Sequence, residues 1–326
     1  MHYTNAAGLN GILTSGCLWA THASHLNDTE ELTQFLDRRL PEIAMPEVRK
    51  CAAVMATRPE VATKMITKEG FDKVVMQITT KLVSRIRAAT TKWNQPYIFS
   101  LCGTNDVRVR HSGLLSQWRG YGVDGVYSIV FDTIEFERLL RLEAQQHYYQ
   151  YVQLADVYYH GIDPAGQPST AYMVDLEESV CKCIAVHVRG GTKEEAECFY
   201  DAITSLSCLY KHWGFYEEHE VRVVAIPGDP KIAGLAAADG EVKPQKEIKS
   251  FLREGVRVPH LELFAAIDPA REKTHLPIKR VIVGPHKDKA VRRREVMKLL
   301  EANGYKAEVT ISEIPYLGRS SSNLSA

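Results

Sequence analysis

Long apolar runs are missing from this chain of 326 residues, and so is net charge, because 40 Lys and Arg balance 40 Asp and Glu. No window approaches the roughly 18 uninterrupted apolar residues that a membrane-spanning helix needs, so no membrane partner is expected. The charge balance argues against a protein whose main activity is coating nucleic acid or an anionic membrane, while a local basic groove stays open. CxxC spacing is missing too. The seven cysteines (Cys17, Cys51, Cys102, Cys181, Cys183, Cys198, Cys208) are an odd set. With no basic, apolar-cored leader ahead of them, they are expected to be reduced thiols in a cytoplasm. The phosphate patterns GxGxxG and GxxxxGKS/T are absent, which argues against a Rossmann or P-loop enzyme. His22, His25 and Asp28 have no distant ligand set to complete them, so they read as a polar loop and no metal is expected.

What is present is an ordinary globular composition, 45% hydrophobic and 25% charged, sufficient for a sizeable core in one large domain or two modest ones. Residues 2–4 read as a strand. Ala7, Leu9, Ile12 and Leu13 then fall at helical spacing and Gly16 closes the helix. A second strand is expected at 17–20, and Leu26-Asn27-Asp28-Thr29-Glu30 as a turn into a helix. Residues 30–89 are mostly helical in pattern, cut by Pro41, Pro46 and Pro59. Strands are expected at 97–101, 126–131, 152–159, 261–265, 280–284 and 307–311. Helices are expected at 114–119, 133–149, 194–213 and 289–302, and loop at 103–113 and 161–168. Cys181-Lys182-Cys183 alternates as a strand would, with half-buried thiols. The tail 319–326 is Ser-rich and expected to be disordered.

The most informative segment is Tyr216-Glu217-Glu218-His219-Glu220-Val221-Arg222, which leads into the apolar run Val223-Val224-Ala225-Ile226. On a strand, residues two apart share a face, so Glu218, Glu220 and Arg222 would form one charged row. That row is either a solvent-facing edge whose charges discourage aggregation or a site. By the same alternation His2 and Thr4 share a face of the first strand, with the next helix behind them; such a face can bond ribose hydroxyls. Ser100 and the stretch Ser116-Gln117-Trp118-Arg119-Gly120-Tyr121-Gly122 place flat rings beside a cation, which suits a planar ring with a nearby phosphate. For Trp118 alone, core packing is the better reading. Arg292-Arg293-Arg294 is a solvated helix face and also the best local candidate for touching a nucleic-acid phosphate.

Together, His2-Tyr3-Thr4, Leu26-Asn27-Asp28, Phe99-Ser100, Trp118-x-x-Tyr121 with Gly125, Phe131-Asp132, Glu218-x-Glu220-x-Arg222 and Ser312-x-Ile314-Pro315-Tyr316 resemble a family. It is a bacterial family of unknown-function domains grouped with the ADP-ribosyltransferases and only distantly like the DarT-type toxins. The resemblance implies an α+β fold with an ADP-ribosyltransferase-like split β-sheet core, as one domain over 1–318 with a helical insertion at 30–93. It implies NAD as substrate, with His2 on a ribose hydroxyl, the backbone at Tyr3 on the nicotinamide amide, and Ser100 or Tyr121 in the middle role. Thr4 and Arg119 are further expected NAD contacts, and Arg222 would either neutralise Glu218 or bind the pyrophosphate. Glu220 is the implied key carboxylate, Glu218 orients or deprotonates the acceptor, and the two carboxylates could exchange roles. Several relatives have Gly after the first-strand His, and Tyr3 departs from that pattern. The implied acceptor is a macromolecule, with RNA or DNA mildly favoured over protein. Toxin or phage-defence activity and a regulatory or antitoxin partner are further implications. A non-catalytic nucleotide- or nucleic-acid-sensing module on the same fold is the alternative.

Overall fold

The computed structural model describes residues 1–26, 32–57, 68–93, 96–121, 126–163, 165, 167, 170–191, 200–228, 243–265, 267 and 273–316. They form two compact units. The first comprises Met1–Thr21, Tyr97–Leu154 and Tyr216–Ala326, and the second His22–Pro96 and Ala155–Phe215. The architecture is mixed α and β with several sheets. Among the described residues no helix is long and apolar enough to cross a membrane.

The first unit begins with β1 (His2–Asn5), α1 (Ala6–Ser15) and β2 (Leu18–His22). Asn5 caps α1 by accepting from the Gly8 amide, and Gly16 ends it in the left-handed region at φ 67°, bonding back to the Ile12 carbonyl. The chain returns with β3 (Tyr97–Cys102), the short helices α4 (Val107–Ser112) and α5 (Leu115–Gly120), β4 (Val126–Phe131), α6 (Thr133–Gln146) and β5 (Tyr149–Asp156). Asp132 starts α6 by accepting from the Ile134 and Glu135 amides. After the second unit come β8 (Glu220–Pro227), β9 (Ile248–Arg253), β10 (Val256–Leu263), β11 (Ile278–Val283), α9 (Lys289–Ala302) and β12 (Glu308–Ile311).

These strands make a four-stranded sheet in the order β1-β4-β11-β12 and a six-stranded sheet in the order β5-β8-β3-β2-β10-β9. Where the sheets meet, the Cys102 amide donates to the Met1 carbonyl at 2.6 Å. One apolar core joins them, built from Leu9 and Leu13 of α1, Phe99 of β3, Ile129 of β4, Val223 of β8 and Leu261 of β10. Burial of these side chains is the dominant stabilising term, on the order of 1.5–3 kcal/mol for each large one. A buried carboxylate spans the same region. Glu143 of α6 accepts from the Tyr149 hydroxyl at 2.6 Å and the Phe264 amide at 2.9 Å, and lies 2.8 Å from Lys246 Nζ.

The second unit holds α2 (Leu40–Ala56), α3 (Lys68–Trp93), β6 (Tyr158–His160), α7 (Thr170–Val188), α8 (Tyr200–Leu209) and β7 (Tyr210–His212), with β6 and β7 paired in parallel. It takes in 155–215 as well as the expected helical stretch. Arg39 forks onto Glu177, with Nε to Oε1 and Nη2 to Oε2 both 2.7 Å, tying the start of α2 to α7.

Several local expectations are corrected. Cys181-Lys182-Cys183 lies inside α7, because the apolar spacing of the longer segment outweighs three alternating residues. Pro41 stands where the π-helical turn Phe35–Arg39 passes into α2, so a change of helix type does fall there, whereas Pro46 is carried inside α2 and does not cut it. Residues 107–112 are a helix capped by Asp106 within the expected loop, and residues 210–212 are a strand within the expected helix. Tyr149 opens β5 rather than ending a helix, and β9 has no counterpart in the expected strands. The Leu26–Glu30 turn lies mostly outside the described residues, as do Gly122, Gly125, Pro59, Cys198 and the Ser-rich tail.

Candidate functional site

The acidic segment does not form one row. Trp213–Glu218 is a short 3-10 turn, and His219 follows it with φ 41°, a left-handed conformation that reverses the chain before β8 starts at Glu220. The turn is held because the His219 carbonyl accepts from the Gly103 amide at 2.7 Å and the His219 ring sits edge-on to Tyr216. Glu218 therefore leaves the strand's alternation, and only Glu220 and Arg222 keep the common face.

That face is buried. Glu220 is 6% exposed and Arg222 1%. Arg222 donates from Nε to Glu220 Oε1 and from Nη2 to Oε2, each at 2.9 Å, a two-point clamp between neighbours two residues apart. Edge protection is thus excluded for this pair, since charges that keep other chains away must reach water. In the β3–β8 register Cys102 is opposite Glu220 and Ser100 opposite Arg222, so the four side chains share one face. Phe99 and Val223 alternate onto the other face and enter the main core. The Cys102 thiol is pushed up to about 11, chiefly by burial, which the nearby N-terminal ammonium opposes and the charges of Glu218 and Glu220 reinforce. Glu218 remains within electrostatic reach of the same thiol although it has left the strand.

On β1 the alternation also decides sides. Tyr3 packs with Cys102, Trp118, Val126 and Ile282 in a small second core. Its hydroxyl accepts from the Leu114 amide at 2.8 Å, and burial raises its pKa. His2 points the other way: its ring lies 4.4 Å from the Phe99 ring, and Nδ1 is 3.0 Å from the Ser100 carbonyl oxygen. A carbonyl only accepts, so Nδ1 carries the proton. Burial pushes the imidazole down to about 4, leaving it neutral. Thr4 is buried on the same side as His2, and a Cβ added at Gly8 would stand 2.0 Å from its Oγ1. The shared His2–Thr4 face is therefore turned toward Phe99 and α1, and Tyr3 is the β1 side chain on the Cys102 side.

Aromatic rings extend the site outward. Tyr121, 41% exposed, is stacked on Tyr3 at 6.2 Å, and the Arg119 guanidinium lies 5.1 Å over the Tyr316 ring. Trp118 is core, as its spacing implies: its ring is edge-on to Tyr3 at 4.8 Å and its indole N–H donates to the Ser112 carbonyl. Ser312 also reaches that carbonyl, at 2.6 Å, which brings the 312–316 segment against α4 and α5. Cys102 was not singled out from the sequence; its position at the end of the apolar strand facing the acidic segment was the available signal.

Of the remaining candidates, Asp132 is occupied as the α6 cap and by Lys279 at 2.9 Å. His22 and His25 both bond Ser24 in the second unit, and among the described residues no group of three or more His, Cys, Asp and Glu is placed to hold a metal ion. Arg292 donates to His286 and to the Tyr127 hydroxyl and Arg293 to the Val309 carbonyl, while Arg293 and Arg294 are both exposed. Compared with known proteins, the chain matches no family model, no curated protein and no solved structure.

Proposed function

We propose that the chain is an ADP-ribosyltransferase that cleaves NAD and transfers ADP-ribose to a macromolecule, on a split-sheet core of the ADP-ribosyltransferase type. The observation that carries this reading is the buried Glu220 carboxylate, clamped by Arg222 on the face it shares with Ser100 and Cys102, with Tyr3 packed against Cys102 and Tyr121 stacked on Tyr3. Breaking the bond from nicotinamide to ribose builds positive charge on the sugar, as in glycoside hydrolysis, and a fixed carboxylate stabilises it. Arg222 holds the carboxylate oriented while each oxygen keeps a lone pair for a ribose hydroxyl. Nicotinamide leaves with the bonding electron pair, and the acceptor nucleophile closes on the anomeric carbon. Glu218, off the strand but within electrostatic reach of Cys102, takes the acceptor's proton in this reading. Tyr121 supplies an exposed ring for stacking, and Arg119 a cation for the pyrophosphate. His2 bonds the Ser100 carbonyl through Nδ1, which holds β1 against β3, and in this reading its other ring nitrogen serves a ribose hydroxyl.

RNA or DNA is the favoured acceptor class, in a cytoplasmic toxin or defence protein restrained by a regulatory partner. The second reading is a non-catalytic nucleotide-sensing module. It is favoured by one observation: both Glu220 oxygens already accept from Arg222. Incubation with NAD, alone and with RNA, DNA or cell extract, separates the two readings. Release of nicotinamide supports the transferase; NAD binding without release in every mixture supports the sensor.

A further inference from the structure

We propose that β9 is a self-complementary edge through which two copies of this chain pair antiparallel, joining their six-stranded sheets into one. β9 is the last strand of its sheet, and among the described residues its outer side has no neighbour. An uncovered edge presents a row of backbone donors and acceptors, and natural edges are normally interrupted by proline, bulges or charge. Here the strand contains no proline, its cation Lys249 is paired to Glu262 at 2.6 Å within the sheet and Arg253 stands at its far end, and it exposes Ile248 at 50% and Leu252 at 72%.

The hairpin fixes which backbone groups face outward. Arg253 pairs with Val256 across Glu254 and Gly255, whose φ angles of 51° and 81° are those of a tight two-residue turn. The residues flanking such a turn exchange hydrogen bonds, and the exchange repeats at every second pair. Arg253, Phe251 and Lys249 therefore bond inward to β10, while Ile248, Ser250 and Leu252 direct their amides and carbonyls to the open edge. Pro259 stands opposite Ser250, a pair at which no bond to β9 is required of it.

A two-fold antiparallel pairing must oppose outward-facing residues to outward-facing residues, so neighbouring registers differ by two residues. Centred on Ser250, it sets Glu247 against Arg253, Ile248 against Leu252, and Lys249 against Phe251 of the second copy, each twice by symmetry. Opposite charges meet, the two exposed aliphatic residues cover each other, and the Lys249 stem lies along a ring. The adjacent registers put Lys249 against Lys249, or Lys249 against Arg253, and like charges directly opposed are destabilising. Charge and apolar pattern thus select one register, and the backbone phase of the hairpin independently permits that same one. Pairing along a single edge buries little area, so the dimer belongs to the weak, concentration-dependent class.

Cysteine cross-linking reads the register. On the two-fold axis, Ser250 faces itself with α-carbons about 5.5 Å apart, within the range of roughly 4.4–6.8 Å that a disulfide spans. Full-length Ser250→Cys protein treated with diamide is expected to form a covalent dimer above the wild-type background. Leu252→Cys alone, roughly 13 Å from its own copy, is expected not to, whereas a mixture of Ile248→Cys and Leu252→Cys chains is expected to cross-link. Wild-type protein should shift toward dimer with concentration in sedimentation runs. Ser250→Pro, which removes the outward amide and an exposed hydroxyl contact with Arg257, should keep its circular dichroism spectrum and weaken the dimer at least tenfold. A wild-type chain that stays monomeric at every concentration overturns the proposal, as does equal cross-linking of Ser250→Cys and Leu252→Cys.

Discussion

Arg222 clamps both carboxylate oxygens of Glu220 from two residues along the same strand, at 2.9 Å each, with both side chains out of solvent. Removing one partner takes a two-point counter-charge from a group that stays buried, at a cost of about 3–5 kcal/mol. Arg222→Met and Glu220→Gln are each expected to lower the urea midpoint. The double variant is expected to lose less than the two losses together, with a coupling above about 1 kcal/mol. Strict additivity would show that the pair is not energetically linked.

His2 gives the fold a pH dependence of definite sign. Its folded pKa is depressed from 6.5 to about 4, so the unfolded chain binds the proton more readily. Stability from this group is complete above about pH 6.5 and is lost as pH falls toward 4, by up to about 3 kcal/mol. Denaturation midpoints between pH 7 and pH 4.5 should fall in the wild type and fall less in His2→Gln. Parallel profiles for the two proteins would exclude the imidazole as the cause.

Glu143 should matter more than its position in the last turn of a helix suggests. It receives Tyr149 and the Phe264 amide and faces Lys246, so Glu143→Gln leaves a buried ammonium without its counter-charge. A loss of about 3 kcal/mol or more is expected in chemical denaturation. Phe264 also holds a φ of 67°, which that hydrogen bond supports, so faster proteolysis near residue 264 should accompany the loss.

If nucleic acid is the acceptor, the arginines of α9 divide by role. Arg294→Glu is expected to weaken RNA or DNA binding and to reduce the salt slope by about one or more, with circular dichroism unchanged. Arg292→Glu is expected to lower the melting temperature, because that guanidinium already serves His286 and Tyr127. Labelled NAD that marks only protease-sensitive, nuclease-resistant bands in extract would move the acceptor to a protein side chain.

The fold was most legible where a local signal and burial agree. Gly16 closes α1 and Asp132 caps α6 because those residues satisfy helix-end groups within a few positions. β9 and the Glu143 cluster were not legible, since partners far along the chain decide both. In the site, β3 and β8 bring Ser100, Glu220 and Arg222 together with Cys102 as alternation requires. The same rule failed for Glu218, because a single left-handed residue at His219 breaks the period and no glycine marks the spot. His2 and Thr4 do share a face, but which face meets the core depends on the packing of α1 and Phe99.

The central claim is that Glu220 supports cleavage of NAD, and nicotinamide release from matched, folded preparations of wild type and Glu220→Gln tests it most directly. NAD affinity should stay within a few-fold while release falls on the order of a hundredfold to a thousandfold, because the lost charge acts mainly in the transition state. Equal release by a folded Glu220→Gln protein, or no release by the wild type with any acceptor, would contradict it.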